Sequence, residues 1–281
     1  MKYEVLQSTH YQYSSPIRQS INQSIFKPLS SENQKVLSYE QTITPEAYCS
    51  EHNDYWGNDV VTFYIWAPHD QLHVQTRSVI ELNHRCSFVN MTDEVEEVME
   101  SNQFKQDFAE FLMQTNYTTL STEALHMISE TLNRNAVNRY VFIERLNSYI
   151  YENFSYMPGT TDVKTIAAEA FDKKTGVCQD FTHMMLSVCR HEGIPARYVS
   201  GYIYSGEEVA MRGDSVTHAW VEVYFPNHGW VGFDPTNNML ALDHHICVAT
   251  GRDYADVSPL KGVYYGVAEQ EMNVSISVKA M

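Results

Sequence analysis

Cys178, His218 and Asp234 are the residues whose types and surroundings could do chemistry together. Cys178 lies in Thr175-Gly176-Val177-Cys178-Gln179-Asp180-Phe181, where a glycine permits a sharp turn and an amphipathic segment follows. From Cys178 onward, Phe181, Met184, Met185, Val188 and Cys189 recur at three- and four-residue steps, the spacing of one buried helical face. Gly193 ends the run and Pro195 forbids its continuation. The spacing therefore puts Cys178 at or near a helix N-terminus, where unpaired N–H groups and the macrodipole favour an anion. The thiolate is the nucleophilic form of cysteine. A small apolar residue at a helix start is the plain alternative, and for an isolated cysteine it is the commoner one.

The second stretch is Thr217-His218-Ala219-Trp220-Val221-Glu222-Val223-Tyr224-Phe225. Its alternation gives a strand with Ala219, Val221, Val223 and Phe225 on a core face and His218, Trp220, Glu222 and Tyr224 on the other. Trp230 to Thr236 alternates in the same way, and Pro226-Asn227-His228-Gly229 marks a turn between the two. A hairpin folded about Pro226 pairs His218 with Asp234, Trp220 with Gly232 and Glu222 with Trp230, all on one face. Gly232 then leaves room for the indole. A carboxylate across from an imidazole accepts its N–H and supports the imidazolium. Joined to the helix-start cysteine, this meets the nucleophile, base and orienter logic of thiol acyl transfer.

The elements that must position these residues divide at about residue 88. Tyr3, Val5, Gln7, Thr9, Tyr11 and Tyr13 share one alternation, and Val36–Ile43, Val60–Trp66 and Leu72–Leu82 are further strands between turn residues. Residues 1–88 therefore read as an antiparallel, sandwich-like β-domain and 89–281 as the core that carries the chemistry, with C-terminal strands. From Thr92 the period is helical, with a break expected near Asn116. A second helix follows Ser121 or Thr122, a third runs through Phe142 to Phe154, and a short one is capped by Asp162. The fold class is α+β.

Lys+Arg 19 against Asp+Glu 35 gives a formal charge of −16, a surface that repels phosphate backbones and excludes nucleic acid as a partner. No apolar run spans a bilayer, and the N-terminus lacks the apolar stretch of a signal peptide. Five cysteines without CxxC spacing argue for reduced thiols and a cytoplasmic location. Cys189 falls on the apolar stripe, Cys247 in a strand-like run, and Cys49 and Cys86 beside turn residues with nothing near to stabilise a thiolate. No His or Cys pair, His183, His191 and His244-His245 included, has metal-ligand spacing, so neither a metal nor a cofactor is expected. Three rivals stay open: a metal site built from His183, His191 or His244-His245 with cysteines, despite that spacing; an arylamine-type acyltransferase on the same three residues; and a module that binds peptide without acylation.

Gly176-Val177-Cys178-Gln179-Asp180-Phe181, Gly193 to Tyr202, His218-Ala219-Trp220-Val221-Glu222-Val223 and Gly229 to Thr236 together resemble the bacterial transglutaminase-like superfamily of cysteine proteases. Tyr11-x-Tyr13-x-x-Pro16, Tyr55-Trp56-Gly57-Asn58 and Gly251-Arg252-Asp253-Tyr254-Ala255-Asp256-Val257-x-Pro259 resemble the same group's N-terminal β-domain and C-terminal segment, so the likeness covers nearly the whole chain. The resemblance implies a papain-like core, a helix packed on an antiparallel sheet. It makes Cys178 the nucleophile, His218 the base and Asp234 its orienter. The substrate class it implies is peptide or protein amide, with water or a primary amine as acceptor. The Cys178 backbone N–H is the expected oxyanion donor. No tryptophan precedes Cys178 closely, which leaves Tyr156 as the side-chain donor candidate, with Gln179, Asp180 and Trp220 as candidate cleft residues.

Overall fold

The computed structural model describes all residues except 84–88, 207–210 and 214–216. Strands dominate the N-terminal part: β1 (Lys2–Ile17), β2 (Gln19–Ser24), β3 (Gln34–Thr44), β4 (Tyr48–Asn53), β5 (Asp59–Ile65) and β6 (His69–Leu82). β2 and β4 escape sequence reading because short polar strands such as Gln19–Ser24 carry little alternation of hydropathy. On β1 the odd positions Tyr3, Val5, Gln7 and Thr9 are buried, as the alternation requires.

Helices follow in the order α1 (Asp93–Glu100), α2 (Asn102–Asp107), α3 (Ala109–Leu112), α4 (Thr122–Thr131) and α5 (Arg139–Asn153). The first expected helix is three short ones. It breaks at Ser101, before Asn116, because Ser101 closes α1 and its hydroxyl caps α2 by accepting the Phe104 N–H. Ser121 caps α4 in the same way. After the two-residue strand β7 (Ser155–Tyr156), α6 (Ala167–Lys173) starts at an Ile166 cap with no side-chain bond. Asp162 does not cap it, because its carboxylate is already turned back onto the Lys164 N–H in a local turn.

The remaining elements are β8 (Thr175–Gly176), α7 (Cys178–His191), β9 (Ala196–Ile203), β10 (His218–Phe225), β11 (Gly229–Asp234), β12 (Met239–Leu240), β13 (His245–Gly251), α8 (Tyr254–Val257), β14 (Leu260–Tyr265) and β15 (Gln270–Ala280). β12-β11-β10-β9-β13 form one antiparallel sheet, and α7 packs on β9 and β10. Every residue of α7 except His191 is buried, because helices pack it on one side and the sheet on the other. The fold is thus α+β, a buried helix on an antiparallel sheet beside a strand-rich N-terminal region.

That region is finished by the far end of the chain. One sheet runs β15-β1-β6-β3 and a second β14-β2-β5-β4, so the last two strands flank β1 and β2 and take no part in the core sheet. Tyr13, Ile17, Phe26, Phe63, Ile65, Leu72 and Val74 form their shared apolar core. On the opposite face, Tyr3, Val5, Ile80 and Leu82 join the main core with Met185, Tyr202 and Ile246. The free edge of β13 is closed by two amide side chains from this region. Gln34 accepts the Cys247 N–H at 2.8 Å and donates to the Cys247 carbonyl at 2.7 Å. Asn58 does the same for Thr250, at 2.9 Å both ways. Each amide copies one rung of a β-ladder, which satisfies an edge that burial would otherwise leave costly.

Candidate active site

Cys178 is the first residue of α7. Three residues on, the Asp180 carboxylate turns back to accept the Val177 N–H at 2.8 Å and the Thr161 hydroxyl at 2.7 Å. Burial pushes Asp180 up, against both of those hydrogen bonds. Gly176 is required beneath it, since a Cβ there would lie 2.7 Å from the Asp180 Cβ. Gln179 is also spent locally, its amide donating to the Val163 carbonyl at 3.2 Å. β7 and β8 pair in parallel and set Tyr156 opposite Gly176, two residues from the cysteine.

Across the cleft, β10 and β11 pair with Glu222 opposite Gly232 and Tyr224 opposite Trp230, two residues out of the expected register. The turn centres on Asn227, where the positive φ of 67°, with Gly229 at 76°, moves the reversal one residue past Pro226. A two-residue slip preserves the face, so His218 and Asp234 still meet, diagonally, with His218 Nε2 2.8 Å from Asp234 Oδ2. The slip changes the other partners. Gly232 faces Ala241, which a Cβ would approach to 2.6 Å. The glycine that makes room for the Trp220 indole is Gly201 on β9, where a Cβ would stand 2.7 Å from Trp220 Cη2 and 2.0 Å from the Ile246 carbonyl oxygen. Glu222 is held by Arg197 at 2.7 and 2.6 Å, and Arg197 in turn lies over the Trp230 ring at 4.2 Å.

Asp234 has no exposed surface and collects five N–H donors. Oδ1 accepts from the Thr236 and Asn237 backbones at 2.8 and 3.2 Å. Oδ2 accepts from His218 Nε2, from Asn237 Nδ2 at 2.9 Å and from His245 Nε2 at 3.0 Å. Burial alone would raise this carboxyl, but the two imidazoles and their hydrogen bonds hold it well below the usual carboxylate range. For His218, burial acts to lower the proton affinity. The Asp234 charge and hydrogen bond, with a smaller contribution from the Cys178 side chain, outweigh it and raise the imidazole to about 10. With Nε2 committed to Asp234, the nitrogen left for Cys178 is Nδ1.

The turn at residues 212–213 stands over that nitrogen. A methyl group on Gly213 would sit 2.9 Å from His218 Nδ1 and 3.4 Å from the Tyr156 hydroxyl. Asn237 ties this turn to Asp234: its Oδ1 accepts the Arg212 N–H at 2.9 Å while its Nδ2 reaches both the Arg212 carbonyl and Asp234. Behind His218, Trp220 is sealed from solvent, stacked on His218 with ring centroids 6.2 Å apart and edge-on to His245 at 5.1 Å.

Sequence reading thus names Cys178, His218 and Asp234, which the fold brings together, and misses Asn237, Gly213 and His245. The run Asp234-Pro235-Thr236-Asn237 is a signal for the turn that bonds Asp234 to its own backbone. His245 has no such signal, because its approach depends on β13 crossing beside β9 at the gap over Gly201. His218, Asp234 and His245 also form the one group among the described residues whose ligand atoms lie close enough to hold a metal, within 4.8 Å of one another. Each of those atoms is engaged in the hydrogen bonds above, and a metal there would take the His218 nitrogen that binds Asp234.

The profile of the transglutaminase-like superfamily matches residues 126–235, and that of the bacterial transglutaminase-like N-terminal region matches residues 3–81. Protein ML0607 of Mycobacterium leprae is 34% identical over 98% of this chain and 97% of its own length. Protein Rv2569c of Mycobacterium tuberculosis is 30% identical over 99% and 92%. A solved structure from Cytophaga hutchinsonii, described as a candidate cysteine protease, superposes with a TM-score of 0.77 over 100% of this chain and 91% of that one, at 23% identity. A segment is also 35% identical over 99 residues to a protein-glutamine gamma-glutamyltransferase of Pseudomonas aeruginosa, covering 32% of this chain and 14% of that protein. With both profiles matched in order and full-length relatives at this identity, the chain belongs to the transglutaminase-like superfamily.

Proposed function

We propose that the chain is a thiol acyl-transfer enzyme acting on peptide or protein amides, with Cys178 as nucleophile, His218 as base and acid, and Asp234 as its orienter. The observation that carries this is the buried His218–Asp234 pair at 2.8 Å, presented to a cysteine on the first turn of a helix. In the resting state the Cys178 proton sits on His218 Nδ1, giving a thiolate and an imidazolium. Sulfur attacks the amide carbonyl carbon, and the carbonyl electrons move to oxygen. The Cys178 backbone N–H holds that oxyanion, the Tyr156 hydroxyl being the candidate second donor. Collapse breaks the C–N bond, and the His218 Nδ1 proton goes to the leaving amine. A thioester remains. Neutral His218 then takes a proton from water or an incoming amine as it attacks, and collapse releases acid or new amide with the thiolate and imidazolium restored.

Hydrolysis is the first reading, in keeping with the assignment of the Cytophaga protein. Transfer to a primary amine is the second, favoured by the stretch shared with the Pseudomonas gamma-glutamyltransferase. Glu222, on the same strand face as His218, is paired with Arg197 and so adds little attraction for a cationic acceptor. The test is to incubate the protein with a peptide and amide library plus labelled primary amine, and to follow intact mass and products. A Cys178 acyl adduct with released amine is expected, absent in Cys178→Ala. Turnover that survives Cys178→Ala removes the reading, and acid as the sole product at saturating amine removes transfer for that substrate.

A further inference from the structure

We infer that His245 is a positioning residue for the proposed reaction: as a neutral imidazole it donates Nε2–H to Asp234 and so keeps that carboxylate an anion aimed at His218. The inference rests on the reading of Cys178, His218 and Asp234 given above. Two imidazoles converge on one carboxylate oxygen, His218 Nε2 at 2.8 Å and His245 Nε2 at 3.0 Å, and all three side chains are buried. A carboxylate accepts and cannot donate, so both ring nitrogens that face it carry protons. That fixes His245 as the Nε2–H tautomer when neutral. Its Nδ1 is buried without a protein partner among the described residues, as a bare lone pair allows more cheaply than a second cationic N–H.

The arrangement answers a difficulty of buried ion pairs. An imidazolium against a desolvated carboxylate can relax by passing its proton across, which leaves two neutral groups and a base with the wrong tautomer. Each further donor on the carboxylate makes that transfer less favourable. Asn237 and the Thr236–Asn237 backbone supply donors from the local turn. His245 supplies one from β13, a strand that shares no ladder with β11. The groups facing His245 among the described residues are Asp234 on β11, His218 and Trp220 on β10, and its neighbour His244. Burial and the His218 charge both keep it neutral, while Asp234 opposes them.

Two readouts, neither needing a substrate, test this. The first is the tautomer in the unmodified protein: with ring nitrogens labelled with heavy nitrogen, His245 should be Nε2–H with a bare Nδ1 from about pH 6 to 9, the range around a free imidazole's pKa. An Nδ1–H tautomer or a charged His245 overturns the inference whatever the variants do. The second is the rate of Cys178 alkylation by iodoacetamide. His245→Leu removes the donor and should slow alkylation about tenfold, the scale of one hydrogen bond to a charged group. It should also move the His218 Nε2–H resonance downfield, as that bond takes the vacated share of Oδ2. His245→Gln places an amide N–H near the same point and should recover most of the lost rate, which a packing role does not predict. If Leu and Gln behave alike and the His218 resonance stays put, His245 is packing and the inference fails. If Cys178 is not the thiol alkylated in the unmodified protein, it is the underlying functional reading that fails.

Discussion

At the scale of single residues, the proposed reaction turns on a proton held between two buried groups. Asp234→Asn keeps the size of the side chain but offers His218 an N–H in place of a lone pair. Turnover should fall by roughly two to four orders of magnitude with the fold retained, and undiminished kcat in a folded variant removes Asp234 from the mechanism. The same pair sets a pH window for stability. His218 is raised to about 10 in the folded protein. Against about 6.5 when unfolded, it stabilises fully below that value and loses the contribution as pH rises toward the folded pKa. Asp234 is depressed, so its contribution holds above the ordinary carboxylate range and is lost in strong acid. His183, buried and lowered to about 3, costs stability as pH falls, because the unfolded chain takes up a proton the folded one refuses. Melting curves should therefore drop on the alkaline side between about pH 7 and 10 more steeply for the unmodified protein than for His218→Gln. Equal slopes contradict the pairing.

At the scale of elements, glycines and amides decide how the strands bring the site together. Gly201→Ala forces a methyl group against the Ile246 carbonyl and the Trp220 ring. The loss should be about 2–4 kcal/mol or outright unfolding, read by chemical denaturation; a change below about 0.5 kcal/mol contradicts the close approach. Gln34→Ala removes the partner of the buried-edge Cys247 N–H, while the Cys247 carbonyl keeps the Leu29 N–H at 3.1 Å, and should cost about 1–3 kcal/mol. The same elements show what is legible in sequence. The α7 stripe, the Gly193 stop and the β10 alternation are visible because burial imposes a period on them. The hairpin register is visible only to within two residues, because Asn227 adopts a positive φ that moves the turn centre. His245 and Gly213 are invisible because contacts across non-adjacent strands and loops impose no local period.

At the scale of the molecule, the two ends of the chain close on each other. β14 and β15 supply edge strands to both N-terminal sheets, and those sheets in turn cap β13 beside the site. A chain ending at Ser258 exposes β1 and β2 as unpaired edges and should aggregate or melt earlier; an equally stable truncation contradicts the closure. The most direct test of the functional claim also spans the molecule, because its thiols sit in contrasting places. Cys189 is buried in α7 and pushed up to about 12, and burial pushes Cys247 up as well. Cys49 is exposed, but partial burial and Glu51 raise its thiol, while Cys86 lies outside the described residues. Cys178 alone among the described cysteines stands at a helix start beside a charged imidazole. Substoichiometric iodoacetamide at about pH 6, well below the pKa of an ordinary thiol, followed by peptide mapping, should label Cys178 first and more slowly in His218→Ala. Label found first on Cys49 or Cys86, with Cys178 untouched in the folded protein, contradicts the account.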